Sequence, residues 1–298
     1  MSLPLVHHPY YDADTVADGH RFPMRKYSLV AKYAKEQGRM LYRPSLALAD
    51  QLEKVHTAEY VSAILTSSID KKLARKIGFM ITPAITQRAC AAVGGTIYAA
   101  QYALEAGAAI NLAGGSHHAS ADCGAGFCVF NDVAVAAEVL LASGDVGRVL
   151  IIDLDVHQGD GTARIFAGRD DVFTLSVHCE ENWPTDKPPS SLDVSLPQGT
   201  PDAIYLTTLQ QVLEQAFDRA LPDCVFYNAG VDPHADDRLG KLALTDGGLA
   251  ARDRMVAEQC QKRGLPVCGV LGGGYAKDPS TVAKRHMFLI EAFDSIVD

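Results

Sequence analysis

Residues 148–161 read RVLIIDLDVHQGDG, and this stretch decides the fold. Its apolar start, rich in Val, Ile and Leu, has the composition of a strand buried on both faces of a parallel sheet. The run ends in two aspartates, a histidine and a third aspartate. In open α/β sheets, ligands bind in the crevice beyond the carboxyl ends of the strands. Asp153, Asp155 and His157 alternate, so an extended segment projects all three to one side. A carboxylate and an imidazole together at a strand end make the beginning of a zinc site. The plainer reading is a capped strand end with an Asp-rich turn.

Outward from this stretch, strand-like segments (108–113, 148–155, 172–177, 224–230, 265–273) alternate with helix-like ones (130–144, 202–221, 249–264, 280–296). That alternation predicts a mostly parallel sheet with helices on both faces. The N-terminal third reads as mainly helical, most clearly over 24–38 and 84–107. The Pro-rich piece NWPTDKPPSS (182–191) reads as a loop near the site, not a domain boundary. With no repeat and no long linker, the expectation is one α/β domain over 1–298.

Composition narrows the function. The chain of 298 residues is 48% hydrophobic and 21% charged, ordinary for a soluble globular protein. No apolar run approaches a membrane span, and the N-terminus lacks the features of a signal peptide. Seven cysteines without a CxxC pair fit reduced thiols and a cytoplasmic location. A net charge of −9 argues against direct nucleic-acid binding. A homo-oligomer and a monomer are equally compatible with the sequence.

Polar residues cluster after four of the strands. GGSHHASADCGAGFC (114–128), the Asp/His run, VDPHADDRLG (231–240) and GGGYAKD (272–278) all follow apolar runs, and parallel strands bring them to one edge. Asp155, His157 and Asp232 supply three N/O ligands and leave a fourth position open, the pattern of a catalytic zinc site. Adjacent His117 and His118 can both face inward from a bent loop, which Gly114 and Gly115 permit. Asp153 and Asp160 are placed to accept their Nδ1 protons and fix their tautomers. One or both histidines then become candidates for general base and acid. Tyr275 can donate a hydrogen bond to a developing oxyanion. The sum describes metal-assisted amide hydrolysis. Taken singly, an HH pair is usually packing and an Asp-Pro usually a turn. The seven other histidines and all the cysteines take structural readings.

At this point the chain resembles the histone deacetylase superfamily through GGSHHA, GFCVFND, IIDLDVHQGDGT, TLSVH, NAGVD and LGGGY, together with the earlier VHHPYY, GHRFPMRKY and KVHTAEYV. The segments PMRKYSLVAKYA and ITPAITQRACAAVGGTIYAA are most similar to the class IV branch and its bacterial relatives. The resemblance implies an arginase/deacetylase-type α/β fold and a zinc-dependent hydrolase removing acetyl or longer acyl groups from N-acylated lysine or a small acylated amine. It implies metal binding by Asp155, His157 and Asp232, a His117–His118 acid/base pair supported by Asp153 and Asp160, and Tyr275 polarising the acyl carbonyl. Gly126 and Phe127 would line the acyl channel, the Gly126 carbonyl accepting from the substrate amide. A structural potassium or sodium ion would use main-chain oxygens of Asp153, Asp155 and His157 with Ser176 and Val177. Arg25 would correspond to an arginine behind the site. An N/O ligand set also accommodates Fe(II) or Co(II).

Departures sharpen the reading. Gln158 replaces a histidine common in relatives but faces away from the ligands. No aspartate matches the one that some relatives place at the rim to grip a peptide, which counts against a histone-like substrate. The SVHCEENWPTDKPP loop differs from the usual aromatic wall, with Trp183 a candidate replacement. The competing readings are an acetylpolyamine amidohydrolase, an arginase-like binuclear enzyme and a non-catalytic binder of acyl-amines. A binuclear site needs extra carboxylates where this chain has Gly159 and His234.

Overall fold

The computed structural model describes residues 2–13 and 20–297. Gly19, which opens the GHRFPMRKY motif, lies outside the described residues. Eight strands form one sheet: β1 (Leu5–Val6), β2 (Leu41–Tyr42), β3 (Ala108–Asn111), β4 (Val149–Asp153), β5 (Val172–Cys179), β6 (Leu192–Leu196), β7 (Cys224–Asn228) and β8 (Val267–Val270). Every pairing is parallel, in the order β2-β1-β3-β8-β7-β4-β5-β6.

The central strands are buried at every residue, which is why they read as apolar runs without alternation. β6 alternates partly buried and exposed positions before its buried end, as an edge strand does. β1 and β2 were invisible to pattern reading because two residues cannot display a period.

The helices begin and end where local chemistry dictates. Thr82 accepts the Ile85 N–H ahead of Pro83 in Pro83–Ala106, and Asn131 accepts the Ala134 N–H ahead of Asp132–Ser143. The helix expected from residue 249 starts earlier, spanning Asp246–Arg263, because Thr245 caps Gly248. Two weak helix formers, Gly247 and Gly248, hide that first turn from periodicity. None of the helices among the described residues is long and apolar enough to cross a membrane.

One register decides where the chemistry lies. β3, β8, β7 and β4 are neighbours, and Asn111, Val270, Asn228 and Asp153 stand side by side where these strands end. The four polar loops therefore leave the sheet at one level and along one edge.

Candidate active site

The strand does not carry the ligands itself. β4 stops at Asp153, short of the expected 155, so alternation along an extended chain is not what gathers the group. The chain bends, and Asp155 and His157 are placed by main-chain donors. Val156 N–H donates to Asp232 Oδ1 at 2.9 Å, Gly273 N–H to Asp155 Oδ2 at 2.8 Å, and His157 N–H to Asp155 Oδ1 at 3.0 Å. His157 Nδ1 then faces Asp155 Oδ1 at 3.0 Å and Asp232 Oδ2 at 3.2 Å. The ligand atoms of Asp155, His157 and Asp232 lie within 4.8 Å of one another, and all three residues are buried.

These residues fit a divalent cation. Asp232 Oδ2 is buried with no well-formed hydrogen bond, only the contact with His157 Nδ1 at 3.2 Å. Two buried carboxylates this close also repel: burial and the charge of Asp155 push the Asp232 carboxyl up to about 7. His157, despite the burial penalty, is drawn up to about 10 by the two carboxylates. A metal ion would satisfy the Asp232 oxygen and neutralise the pair. Among the described residues no second ligand group stands beside it, and His234 turns to Asp236 at 2.8 Å and Asp246 at 3.3 Å.

The histidine pair reaches the site on a bent loop. Gly115 has φ +83°, and a Cβ there would lie 2.5 Å from both Asn228 Oδ1 and Gly272 Cα, so only glycine fits. Asp132 accepts the N–H groups of Gly115 (3.2 Å) and Ser116 (2.8 Å), tying the loop to a helix start. His117 Nδ1 meets Asp153 Oδ2 and His118 Nδ1 meets Asp160 Oδ1, both at 2.6 Å. With Nδ1–H donating to its carboxylate, each ring is fixed with Nε2 turned away from that partner.

The two rings differ electrostatically. Burial, with His117 beside it, pulls His118 down to about 4 against the upward pull of Asp160. His117 suffers the same burial, yet Asp153 and Asp155 raise it to about 9. One imidazole is thus held neutral and the other tends to be charged.

Tyr275 lies beside them, its ring centroid 6.3 Å from that of His157 and 5.9 Å from that of Phe127. Burial and the carboxylates beneath hold its hydroxyl protonated. Gly126 and Phe127 line the mouth with Trp183, whose ring packs 4.6 Å from that of His118. Trp183 thus stands in the wall of the mouth, and residues 182–191 form a loop beside it. Phe127 holds φ +69°, an uncommon conformation for a residue with a side chain, secured by its N–H donating to Ile77 O at 2.6 Å. The mouth encloses about 360 Å³. A much smaller inner cavity, about 20 Å³, shares His118, Phe127 and Tyr275 with it and runs inward to Arg88 and Tyr27.

Arg25 is a correction. It is exposed, and the cations behind the site are Lys26 and Arg88. Lys26 Nζ donates to Gly272 O at 2.7 Å, and Arg88 donates to Tyr11 O at 3.1 Å and Tyr27 Oη at 3.0 Å. Arg25 opens a helix, and its neighbour Lys26 takes the inward direction. Gln158 does face away, donating to Pro188 O and Asp193 Oδ1.

Sequence reading also missed Arg252, whose guanidinium is buried between the two ligand loops. It donates to Leu154 O at 3.2 Å and Gly230 O at 2.5 Å while pairing with Asp253 at 2.8 Å. The available signal was a charged pair at core spacing within an otherwise apolar stripe, Leu249, Arg252–Asp253, Val256 and Cys260.

The chain is similar to known proteins over most of its length. A model described as "Histone deacetylase domain" matches residues 20–290. An uncharacterised protein of Picosynechococcus sp. is 46% identical over 98% of both chains. Histone deacetylase 2 of Arabidopsis thaliana is 31% identical over 88% of this chain and 71% of its own. The crystal structure of the HDA15 HD domain superposes with a TM-score of 0.85 at 22% identity, covering 99% of this chain and 88% of that one, and shares its fold. The chain belongs to the histone deacetylase domain family and is a hydrolase of amide bonds.

Proposed function

We propose that the protein is a metal-dependent deacetylase acting on acetyl groups of N-acylated lysine or a related amine, with zinc the ion that its ligand set suits best. The observation that carries this reading is the buried Asp155–His157–Asp232 group facing the free sides of His117 and His118. When bound, the ion would supply Lewis-acid polarisation of the acyl carbonyl and make water a stronger acid. Asp155, His157 and Asp232 would hold it.

The remaining work falls to this chain's own groups. One histidine of the pair takes a proton from the attacking water at Nε2, and the pair returns a proton to the leaving amine. Asp160 keeps the neutral His118 ring in the tautomer that leaves Nε2 open, and Asp153 holds the His117 ring by its Nδ1. The Tyr275 hydroxyl donates to the acyl oxygen as negative charge grows there. Gly126, Phe127 and Trp183 orient the chain that carries the amide. A monovalent cation, if one is held, would sit against main-chain oxygens of Asp153, Asp155 and His157 with Ser176 and Val177.

If the acyl group enters the inner cavity, its volume of about 20 Å³, little more than one water needs, favours acetyl over longer chains. Purified, zinc-loaded enzyme should turn over an acetyl-lysine peptide at least about tenfold faster in kcat/KM than its butyryl counterpart. No turnover of any acyl-lysine or acetylpolyamine would sink the reading.

A further inference from the structure

The mouth carries charge of one sign. Arg21 and Lys241 line it, and among the described residues no carboxylate shares that lining. This is not a property of the whole surface, since the chain has a net charge of −9.

Both cations are held by the loops that build the site. Arg238 donates from Nε to Tyr275 O at 2.6 Å and from Nη2 to Arg21 O at 3.0 Å, which ties the Arg21 backbone to the tyrosine loop. Lys241 N–H donates to Asn182 Oδ1 at 3.0 Å, and its Nζ to Glu181 O at 2.7 Å. Neither cation has a carboxylate within ion-pair distance among the described residues, whereas Arg164, Arg169 and Arg285 are each paired.

Acidic groups stand nearby with other partners: in the adjoining cleft Asp160 meets His118, Asp186 accepts from Arg164 and Asp122 from Ser120. Asp237 spends its oxygens on the N–H groups of Tyr275, Leu239 and Gly240. The Glu181 carboxylate accepts from Gln198 N–H and feels the Lys241 charge without an ion-pair contact. Asp155 and Asp232 face the metal position. A cleft with one sign of charge and low-dielectric walls concentrates ligands of the opposite sign.

We propose that Arg21 and Lys241 form an anion-recognition rim, so that the preferred substrate is an acylated amine carrying a carboxylate close to the scissile amide. Polycations such as acetylpolyamines and lysine-rich tails are correspondingly disfavoured. The inference rests on the amide-hydrolase reading and adds the substrate class to it.

The test compares kcat/KM for two tripeptides with a central acetyl-lysine, one flanked by Glu and one by Lys. Exposed charge pairs of this kind, favourable in one peptide and repulsive in the other, give a preference for the Glu peptide of about tenfold at low salt. The preference should shrink severalfold at about 0.5 M salt, where screening is short-ranged. Arg21→Gln combined with Lys241→Gln should bring the ratio close to one. Lys262→Gln, on the helix end that leads into the amino end of β8, should leave the ratio where it was.

A wild-type ratio near one, or favouring the Lys peptide, overturns the rim and leaves the hydrolase standing. A preference that persists in the double variant overturns the assignment to these two residues. Absence of turnover on both peptides overturns the hydrolase reading and the rim with it.

Discussion

Replacing Gly273 by alanine tests the metal cradle without touching a ligand. The backbone there is not in the left-handed region, so alanine is conformationally acceptable and the whole effect is steric. An added Cβ would sit 2.1 Å from Asp232 Oδ2 and 2.6 Å from Asp155 Oδ2, where ordinary contact begins at 3.4 Å. The shortfalls are 3.4 − 2.1 = 1.3 Å and 3.4 − 2.6 = 0.8 Å. Neither carboxylate can yield cheaply, because Asp232 Oδ1 is bound to Val156 N–H and Asp155 Oδ2 to the N–H of Gly273 itself. Displacing metal-facing oxygens by about 1 Å should cost about 10²-fold in kcat/KM, and disturbing groups this close to the ion about 10- to 100-fold in metal affinity. Competition for zinc against a chromophoric chelator reads the affinity directly, and a thermal melt reports the fold. Gly247→Ala, whose Cβ meets only Thr245 Oγ1 at 3.4 Å, is the control and should keep wild-type affinity. Zinc affinity of the Gly273 variant within about threefold of wild type, with kcat/KM retained, would refute the account of the cradle.

Four further outcomes are expected. Tyr275→Phe should lower kcat by about 10²–10³-fold with an unchanged melting temperature, since only the hydroxyl is lost; a rate near wild type removes Tyr275 from the mechanism. His118→Ala should cost about 10²–10⁴-fold in kcat while leaving zinc affinity largely intact, and a small effect would contradict its role in proton transfer. Chelation should abolish turnover and lower the melting temperature, with zinc restoring both in a concentration-dependent way; a melt indifferent to zinc would count against the Asp155–His157–Asp232 site. His56 should make stability fall in acid. Its Nε2 accepts from Asn131 N–H at 3.0 Å, so Nδ1 carries the proton facing Ser120 O, and burial pulls the ring down to about 4. The unfolded chain, with an imidazole near 6.5, takes up that proton first, so stability present above 6.5 is lost as pH falls towards 4. Between pH 7 and 5 the loss is about 2 kcal/mol. Urea unfolding of wild type and His56→Gln at both pH values isolates the contribution, and a stability difference independent of pH would disprove it.

What the sequence made legible was whatever a period or a local polar cluster encodes. Central strands, buried at every position, announce themselves as apolar runs, and the loops after β3, β4, β7 and β8 announce themselves by composition. The equality of level at which those strands end is not encoded in either signal. It follows from register, and register depends on pairing between strands distant in sequence. The early break of β4 at Asp153 belongs to the same class, because Asp155 is positioned by Gly273 N–H and Asp232 by Val156 N–H.

Buried cations were the least legible feature, and the reason is geometric. Arg25 and Lys26 are adjacent at the start of one helix, where a rotation of about 100° per residue sends one outward and the other inward. Motif similarity aligns the pair but cannot fix that rotation. Arg88 and Arg252 reach the site from helices whose sequences otherwise read as packing surface. Arg252 joins the Leu154 and Gly230 carbonyls, and so links the loop bearing Asp155 and His157 to the loop bearing Asp232. A site that reads locally as three ligands and two histidines therefore depends on a guanidinium donated by a helix with no recognisable motif. The buried charge is tolerated there because Asp253 pairs with it and because its donors satisfy carbonyls that strand pairing no longer reaches once β4 and β7 have ended.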